Sequence, residues 1–201
     1  MNLSSLLSEY AKDKPVRVGL IGAGKFGSMV LAQAQHIRGM HIAAVADLDI
    51  EKTKAAFARV GWDTKSCFAA SQSEAIAGGK TWLTQDASAL CKFSELDCII
   101  EATGHPLFGV RHALQAIENR THVVMVNVEA DVLCGPYIAQ KAAENNVIYT
   151  MAYGDQPAAI CELVDWVHSN GFELVSAGKG MNFQPEYRYS TPDTVWGYFG
   201  W

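Results

Sequence analysis

No run of apolar residues in this chain approaches the ~20 needed to cross a bilayer, although 49% of its 201 residues are hydrophobic. The N-terminus, MNLSSLLSEYAKDKP, lacks the basic start, long apolar stretch and cleavage site of a signal peptide. It reads as a short helix with polar flanks. The five cysteines are odd in number and scattered, with none at C-x-x-C spacing. That excludes a disulfide framework and a structural zinc site. An excess of either charge is missing too. With 16 basic against 21 acidic side chains the net charge is −5, which gives no electrostatic reason to expect nucleic acid or a membrane surface as partner. Only 18% of residues are charged, too few for a disordered chain. No repeat, low-complexity tract or Pro-rich linker interrupts the sequence. What remains is a soluble, cytoplasmic protein with a small-molecule ligand.

Periodicity alternates between strand-like and helix-like. Strands are expected at Val16–Ile21, His41–Ala46, Thr81–Leu83, Asp97–Ala102, His122–Val126, Val147–Met151 and Phe172–Ala177. Helices are expected at Lys25–Arg38, Asp49–Val60, Ala87–Lys92, Leu107–Asn119, Leu133–Asn145 and Pro157–Ser169. In the first helix, Phe26, Met29, Val30 and Ala34 form the apolar stripe. Continuous apolar strands alternating with helices predict a parallel sheet covered on both faces. The fold class is therefore α/β, a doubly wound Rossmann sheet, with the start of a second domain. Such sheets bind ligands beyond the carboxyl ends of their strands. Cys98, within an apolar run, reads as a small buried hydrophobe; Cys134 and Cys161 have no neighbouring His to make them nucleophiles.

The first strand is followed at once by Gly22-Ala23-Gly24-Lys25-Phe26-Gly27, a G-x-G-x-x-G element. A helix pattern, a second strand and Asp47, twenty positions beyond Gly27, complete the dinucleotide-binding unit. Each glycine has its own reason to be there. Gly22 permits the tight turn, Gly24 lets a pyrophosphate approach the backbone, and Gly27 allows close helix–strand packing. Amides of the helix start, around Lys25 and Phe26, face the phosphates with the positive end of the helix dipole behind them. Asp47 is placed to accept from ribose hydroxyls and would repel a 2′-phosphate, which favours NAD. Lys52 and Lys54 either pair with such a phosphate or lie on a solvated helix face, so NAD and NADP both stay open.

Later strand ends supply the remaining candidates. Ala102-Thr103-Gly104 suits a loop beneath the nicotinamide side, with Pro106 in the first turn of the following helix. His105 is either a proton donor or a polar loop residue; Glu101 either caps a turn or faces the cleft. Asn127 and Glu129 are site candidates after the next strand, and Asp131 is expected to cap the helix starting near Leu133. Asp155 is an N-cap or a carboxylate facing substrate or a divalent cation, the cation needing substrate oxygens to complete its shell. Glu162 reads as a surface-helix residue. Lys179, exposed between Gly178 and Gly180, can reach a substrate carbonyl or phosphate and is the strongest catalytic candidate outside the cofactor site.

Together these segments resemble the N-terminal half of the NAD(P)-dependent oxidoreductases related to homoserine dehydrogenase. That group includes 1-deoxy-D-xylulose 5-phosphate reductoisomerase-like proteins. The resemblance is carried by RVGLIGAGKFGSM, ADLD, EATGHP, HVVMVNVEADVLCGP, YGDQPAAICELVDW, AGKGMNFQPEY and STPDTVWGY. It implies a cofactor domain over 1–152, with Asn127 also near the cofactor, and the start of a truncated catalytic and dimerisation domain over 153–201. It implies NADPH and a divalent cation for the reductoisomerase-like members, and hydride transfer to or from a small carbonyl or hydroxy substrate. Lys179, Asp155, Glu129 and Asn127 would serve the substrate. Val128 stands where related enzymes carry a lysine, and the second acidic residue of the metal loop is missing. The tail gathers Tyr187, Tyr189, Trp196, Tyr198, Phe199 and Trp201 within fifteen residues, an apolar concentration that calls for a partner surface or self-association. A rival reading is a dinucleotide-binding module without turnover. A sugar dehydrogenase is disfavoured by the absence of Glu-Lys-Pro after the strand His122–Val126.

Overall fold

The computed structural model describes residues 5, 9, 11, 14–152, 156–178, 185–191, 193 and 194, the side chains of 156–159 excepted. The chain divides into two compact units, Met1–Ala152 and Tyr153–Trp201.

The first unit is a seven-stranded sheet whose strands all pair in parallel: β1 (Val16–Ile21), β2 (Met40–Ala46), β3 (Phe68–Ala69), β4 (Thr81–Thr84), β5 (Cys98–Glu101), β6 (His122–Met125) and β7 (Tyr149–Met151). Their order is β3-β4-β2-β1-β5-β6-β7. From β1 the chain moves to β2 on one side, with β4 and then the short β3 beyond it, and from β5 it runs through β6 to β7 on the other, so the crevice between β1 and β5 is the switch point. Six helices connect the strands: α1 (Lys25–Ala34), α2 (Ile50–Arg59), α3 (Gln72–Gly78), α4 (Ala87–Cys91), α5 (Pro106–Glu118) and α6 (Val128–Glu144). This is a Rossmann α/β fold.

Both faces of the sheet are covered, as its unbroken apolar strands require. Alternate residues of one strand therefore serve different cores. Val18 and Leu20 of β1 join Leu31, Ile42, Val45, Phe57 and Ile100 on the α1/α2 face. Ile21 and Ile99 join Leu90, Ile117, Met125 and Ile138 on the α4/α5/α6 face. Phe57, fully buried, meets Trp62 and Phe68 edge-on at 5.1 Å each. Burying such a ring contributes about 1.5–3 kcal/mol. Cys91 is buried, whereas Cys98 is only partly so, packed against the α1/α2 core.

Four helix starts are fixed by side chains that accept from a first-turn amide: Asp49 from Lys52, Ser71 from Glu74, Asp86 from Ala89 and Asn127 from Ala130. The last of these corrects the sequence reading. The helix after β6 begins at Val128, not Leu133, and Asn127 caps it while Asp131 accepts from the Tyr149 hydroxyl at 2.6 Å. Helix α1 stops at Ala34, short of Arg38, and buries Gly27, Ser28, Leu31 and Ala34. Of the expected stripe, Ala34 is buried and Val30 packs against the same core, whereas Phe26 and Met29 are exposed. A Cβ at Gly27 would fall inside the radius of the Gly22 carbonyl oxygen; that close approach turns the small residues of α1 toward the sheet.

In the second unit, α7 (Gln156–Ser169) is followed by residues 172–178 without regular structure. The strand expected at Phe172–Ala177 is absent because no neighbouring strand among the described residues of that unit offers a ladder. The seventh strand of the sheet is instead the two-residue β3, too short to show in the sequence pattern. A 3₁₀ turn covers Pro185–Tyr189. At the N-terminus, Ser5 and Glu9 are helical.

Candidate dinucleotide site

A cleft of about 370 Å³ opens at the carboxyl ends of β1, β2, β4 and β5. Gly22 and Gly24 enter it from the turn after β1, Asp47 and Leu48 from the end of β2, and Gln85 and Ala87 from beyond β4. Ala102, Thr103 and His105 come from the loop after β5, and Phe108 and His112 from α5.

The three glycines of the first turn meet three different surroundings. Gly22 has φ 94°, and a Cβ there would lie 2.8 Å from the Ala102 carbonyl oxygen. Both the left-handed backbone and the neighbouring loop demand glycine. Gly27 is excluded from carrying a side chain by the packing just described. At Gly24 a Cβ would have no atom within 4 Å. Nothing in the fold needs glycine there, and the space above it opens on the cleft. Behind it, the first turn of α1 carries amides that have no intrahelical acceptor, in Lys25, Phe26 and Gly27. A diphosphate fits this cradle by charge and by shape.

Asp47 binds the turn directly. Its Oδ2 accepts from the Ala23 amide at 2.7 Å and its Oδ1 from the Asp49 amide at 3.0 Å. A carboxylate offers about four acceptor sites, so capacity remains on both oxygens for hydroxyl donors. Lys52 and Lys54 are engaged on the helix surface with Asp49 (3.3 Å) and Glu51 (2.8 Å).

On the opposite wall, Gly104 takes φ 71° within an exposed loop. Beneath that loop Asn127 is 2% exposed. Its amide nitrogen donates to the His105 carbonyl at 3.0 Å and to Thr103 Oγ1 at 3.3 Å, while its oxygen caps α6. Asn127 thus holds the loop from below, and its polar atoms are spent within the protein. Glu129 is exposed in the first turn of α6, Lys25 and Phe26 are exposed in α1, and none of these three lines the cleft. Asp155 and Lys179 lie outside the described residues. Among the described residues no group of three His, Cys, Asp or Glu is arranged to hold a metal ion.

Sequence reading missed Leu48, Gln85, Phe108 and His112. A signal for the last two was present: His105, just before Pro106, is followed by Phe108 and His112 at helical spacing. Their rings form a stair along α5, with centroids 4.8 Å and then 6.1 Å apart.

The order of the strands and the glycine turn at the switch point define the class: a Rossmann domain of the dinucleotide-binding type. Residues 16–126, more than half of the chain, match the GFO/IDH/MocA oxidoreductase family, NAD-binding Rossmann fold, and the chain belongs to that family. Residues 154–199 match the catalytic domain of oxidoreductase DRL. No curated protein matches the sequence. Among solved structures, an NAD-binding oxidoreductase from Klebsiella pneumoniae superposes with a TM-score of 0.54 at 18% identity, over 78% of this chain and 39% of its own. A homoserine dehydrogenase from Thiobacillus denitrificans gives 0.54 at 24% identity, over 69% and 29%. An oxidoreductase from Agrobacterium radiobacter in complex with NAD+, L-tartaric acid and magnesium gives 0.54 at 16% identity, over 79% and 41%. These are likenesses of fold. This chain spans less than half the length of each.

Proposed function

We propose that this chain carries the cofactor domain of an NAD(P)-dependent oxidoreductase that moves hydride to or from a small carbonyl or hydroxy substrate, in the manner of homoserine dehydrogenase or of the reductoisomerase-like enzymes. The observation that carries the reading is Gly24, a glycine with open space above it and helix amides behind it. Gly22, Gly24, Lys25, Phe26 and Gly27 would hold the diphosphate. Asp47 would hold the adenosine ribose, while Ala102, Thr103 and Gly104 would form the opposite wall. When bound, the nicotinamide supplies or accepts the hydride. Lys179, Asp155, Glu129 and Asn127 are assigned to the substrate side, Lys179 polarising a carbonyl oxygen and Asp155 orienting hydroxyls or a substrate-bridged divalent cation. Asn127 does this indirectly, by setting the loop. The match of residues 154–199 to the DRL catalytic domain supports a substrate domain beginning after Ala152.

Self-association belongs to the same reading. Trp166 and Phe172 stack at 6.3 Å yet are 59% and 62% exposed, an apolar pair suited to an interface. Sedimentation velocity tests this; a monomer at all concentrations removes it. Among the described residues no helix is long and apolar enough to cross a membrane.

The decisive experiment is titration with NADH and NADPH followed by nicotinamide fluorescence, beside a turnover assay on homoserine and on 1-deoxy-D-xylulose 5-phosphate. Binding with turnover supports the full reading, and binding without it favours a dinucleotide-binding module without turnover. No binding of either dinucleotide overturns both. Replacing Asp47 by Ala should raise the NADPH-to-NADH affinity ratio about tenfold, the worth of roughly 1.4 kcal/mol. An unchanged ratio removes its ribose role.

A further inference from the structure

Glu101 is the last residue of β5 and is 0% exposed. A carboxylate taken wholly out of water needs partners for both oxygens. Its Oε1 accepts from Thr103 Oγ1 at 2.6 Å and faces His112 Nδ1 at 3.3 Å, whereas Oε2 has no hydrogen-bond partner. So costly a group is retained either as a fault or for the neighbours it orients. Both neighbours line the cleft.

For His112 the consequence is specific. The His112 side chain is 10% exposed, carried on the second turn of α5 with the Phe108 ring nearly parallel to it at 24°. Because Nδ1 meets a carboxylate oxygen, Nδ1 carries the proton, and the hydrogen bond at one ring nitrogen sets the role of the other. Nε2 is left as an acceptor in the neutral ring. It has no hydrogen bond among the described residues and is not sealed from solvent. A buried carboxylate that fixes an imidazole and leaves its second nitrogen open to a cleft is the arrangement by which proteins orient a ligand-binding histidine.

We propose that His112 is a dinucleotide-contacting residue, its Nε2 accepting a hydrogen bond from an N–H or O–H group of the cofactor, and that Glu101 is the positioning residue that fixes the ring for this contact. The inference rests on the dinucleotide reading of the cleft and extends it to residues the glycine fingerprint does not include. Thr103 is oriented by the same carboxylate. With its proton donated to Glu101, its oxygen accepts from the Asn127 amide, so β5, α5 and α6 are joined under one loop.

Three variants separate contact from scaffold. His112→Asn keeps a donor near Glu101 but removes the Nε2 edge; His112→Gln places a polar atom near Nε2; Glu101→Gln keeps shape and removes charge. Each is assayed by thermal melting and by NADH fluorescence titration of the full chain. His112→Asn should melt close to the parent yet bind NADH at least about fivefold more weakly, and His112→Gln should recover part of the loss. In the parent, ¹⁵N NMR of the His112 ring should show the Nδ1-protonated tautomer, and Glu101→Gln should shift it toward Nε2–H while weakening binding. The Glu101→Gln/His112→Asn double variant should lose less affinity than the two single losses combined, since part of the effect of Glu101 passes through His112 and the rest through Thr103. A parent that binds NADH beside an Asn variant of equal affinity overturns this proposal and leaves the dinucleotide site standing. A parent that binds neither NADH nor NADPH instead overturns the reading beneath it.

Discussion

At the scale of single residues, the turn after β1 shows that glycines in one motif answer to different constraints. Gly27 is demanded by the fold, so Gly27→Ala should cost about 1–3 kcal/mol through overpacking against the Gly22 carbonyl. Gly24 is not, because its side-chain direction is empty. Gly24→Val should therefore leave the melting temperature nearly unchanged while weakening NADH binding by at least about tenfold, or ~1.4 kcal/mol. Thermal denaturation and a fluorescence titration on the two variants check the pair. A Val variant that binds normally would show that the open space is not the diphosphate's.

The thiols make a second residue-scale prediction. Burial pushes the Cys91 thiol from 9.0 up to about 12, with Glu101 adding to the shift, and Cys98 up to about 11. Below pH 9 these thiols are protonated in folded and unfolded chains alike. Between pH 9 and about 12 the unfolded chain gives up a proton that the folded chain keeps at Cys91, so stability falls as pH rises through that window. The Tyr149 phenol, raised by burial and by Asp131, acts in the same direction. Urea denaturation across this range should show the decline, and Cys91→Ala should flatten it.

At the scale of elements, the α5–α6 crossing is set by Gly109. A Cβ there would lie 2.5 Å from Asn127 Nδ2 and 2.7 Å from the Ala130 Cβ. Gly109→Ala should destabilise by about 1–3 kcal/mol and weaken dinucleotide binding as well, because Asn127 also holds the loop at Thr103 and His105. A melt together with a titration tests the coupling. A loss of stability with unchanged affinity would disconnect the cap from the cleft. The same region shows what the sequence made legible. Strands β1, β2, β5 and β6 were readable because strands buried on both faces keep an unbroken apolar run, and the glycine turn because its function is local. The start of α6 was not. Asn127 and Asp131 are both plausible caps in one dimension, and only the loop that the Asn127 amide holds at Thr103 and His105 selects Asn127. The buried face of α1 was only partly legible for a similar reason: a contact across the turn, not the apolar count, decides which face turns inward. His112 depended on a carboxylate eleven residues away at a strand end, a pairing that spacing alone does not reveal.

At the scale of the whole molecule, both apolar clusters, the seven strands and the cleft lining found among the described residues lie before Tyr153. The last sheet bond, from the Ala152 amide to the Met125 carbonyl, closes β7 at 2.8 Å. A domain's cooperativity follows its core, so a fragment ending at Ala152 should unfold in one transition and bind NADH with an affinity within about threefold of the full chain, a difference below roughly 0.7 kcal/mol. Turnover, which the proposed roles of Asp155 and Lys179 place after Ala152, should vanish in that fragment. Calorimetry and fluorescence titration of the fragment and the full chain decide it. If the fragment folds but binds tenfold more weakly, residues beyond Ala152 contribute to the cofactor site, and the glycine turn with Asp47 is not sufficient to hold a dinucleotide.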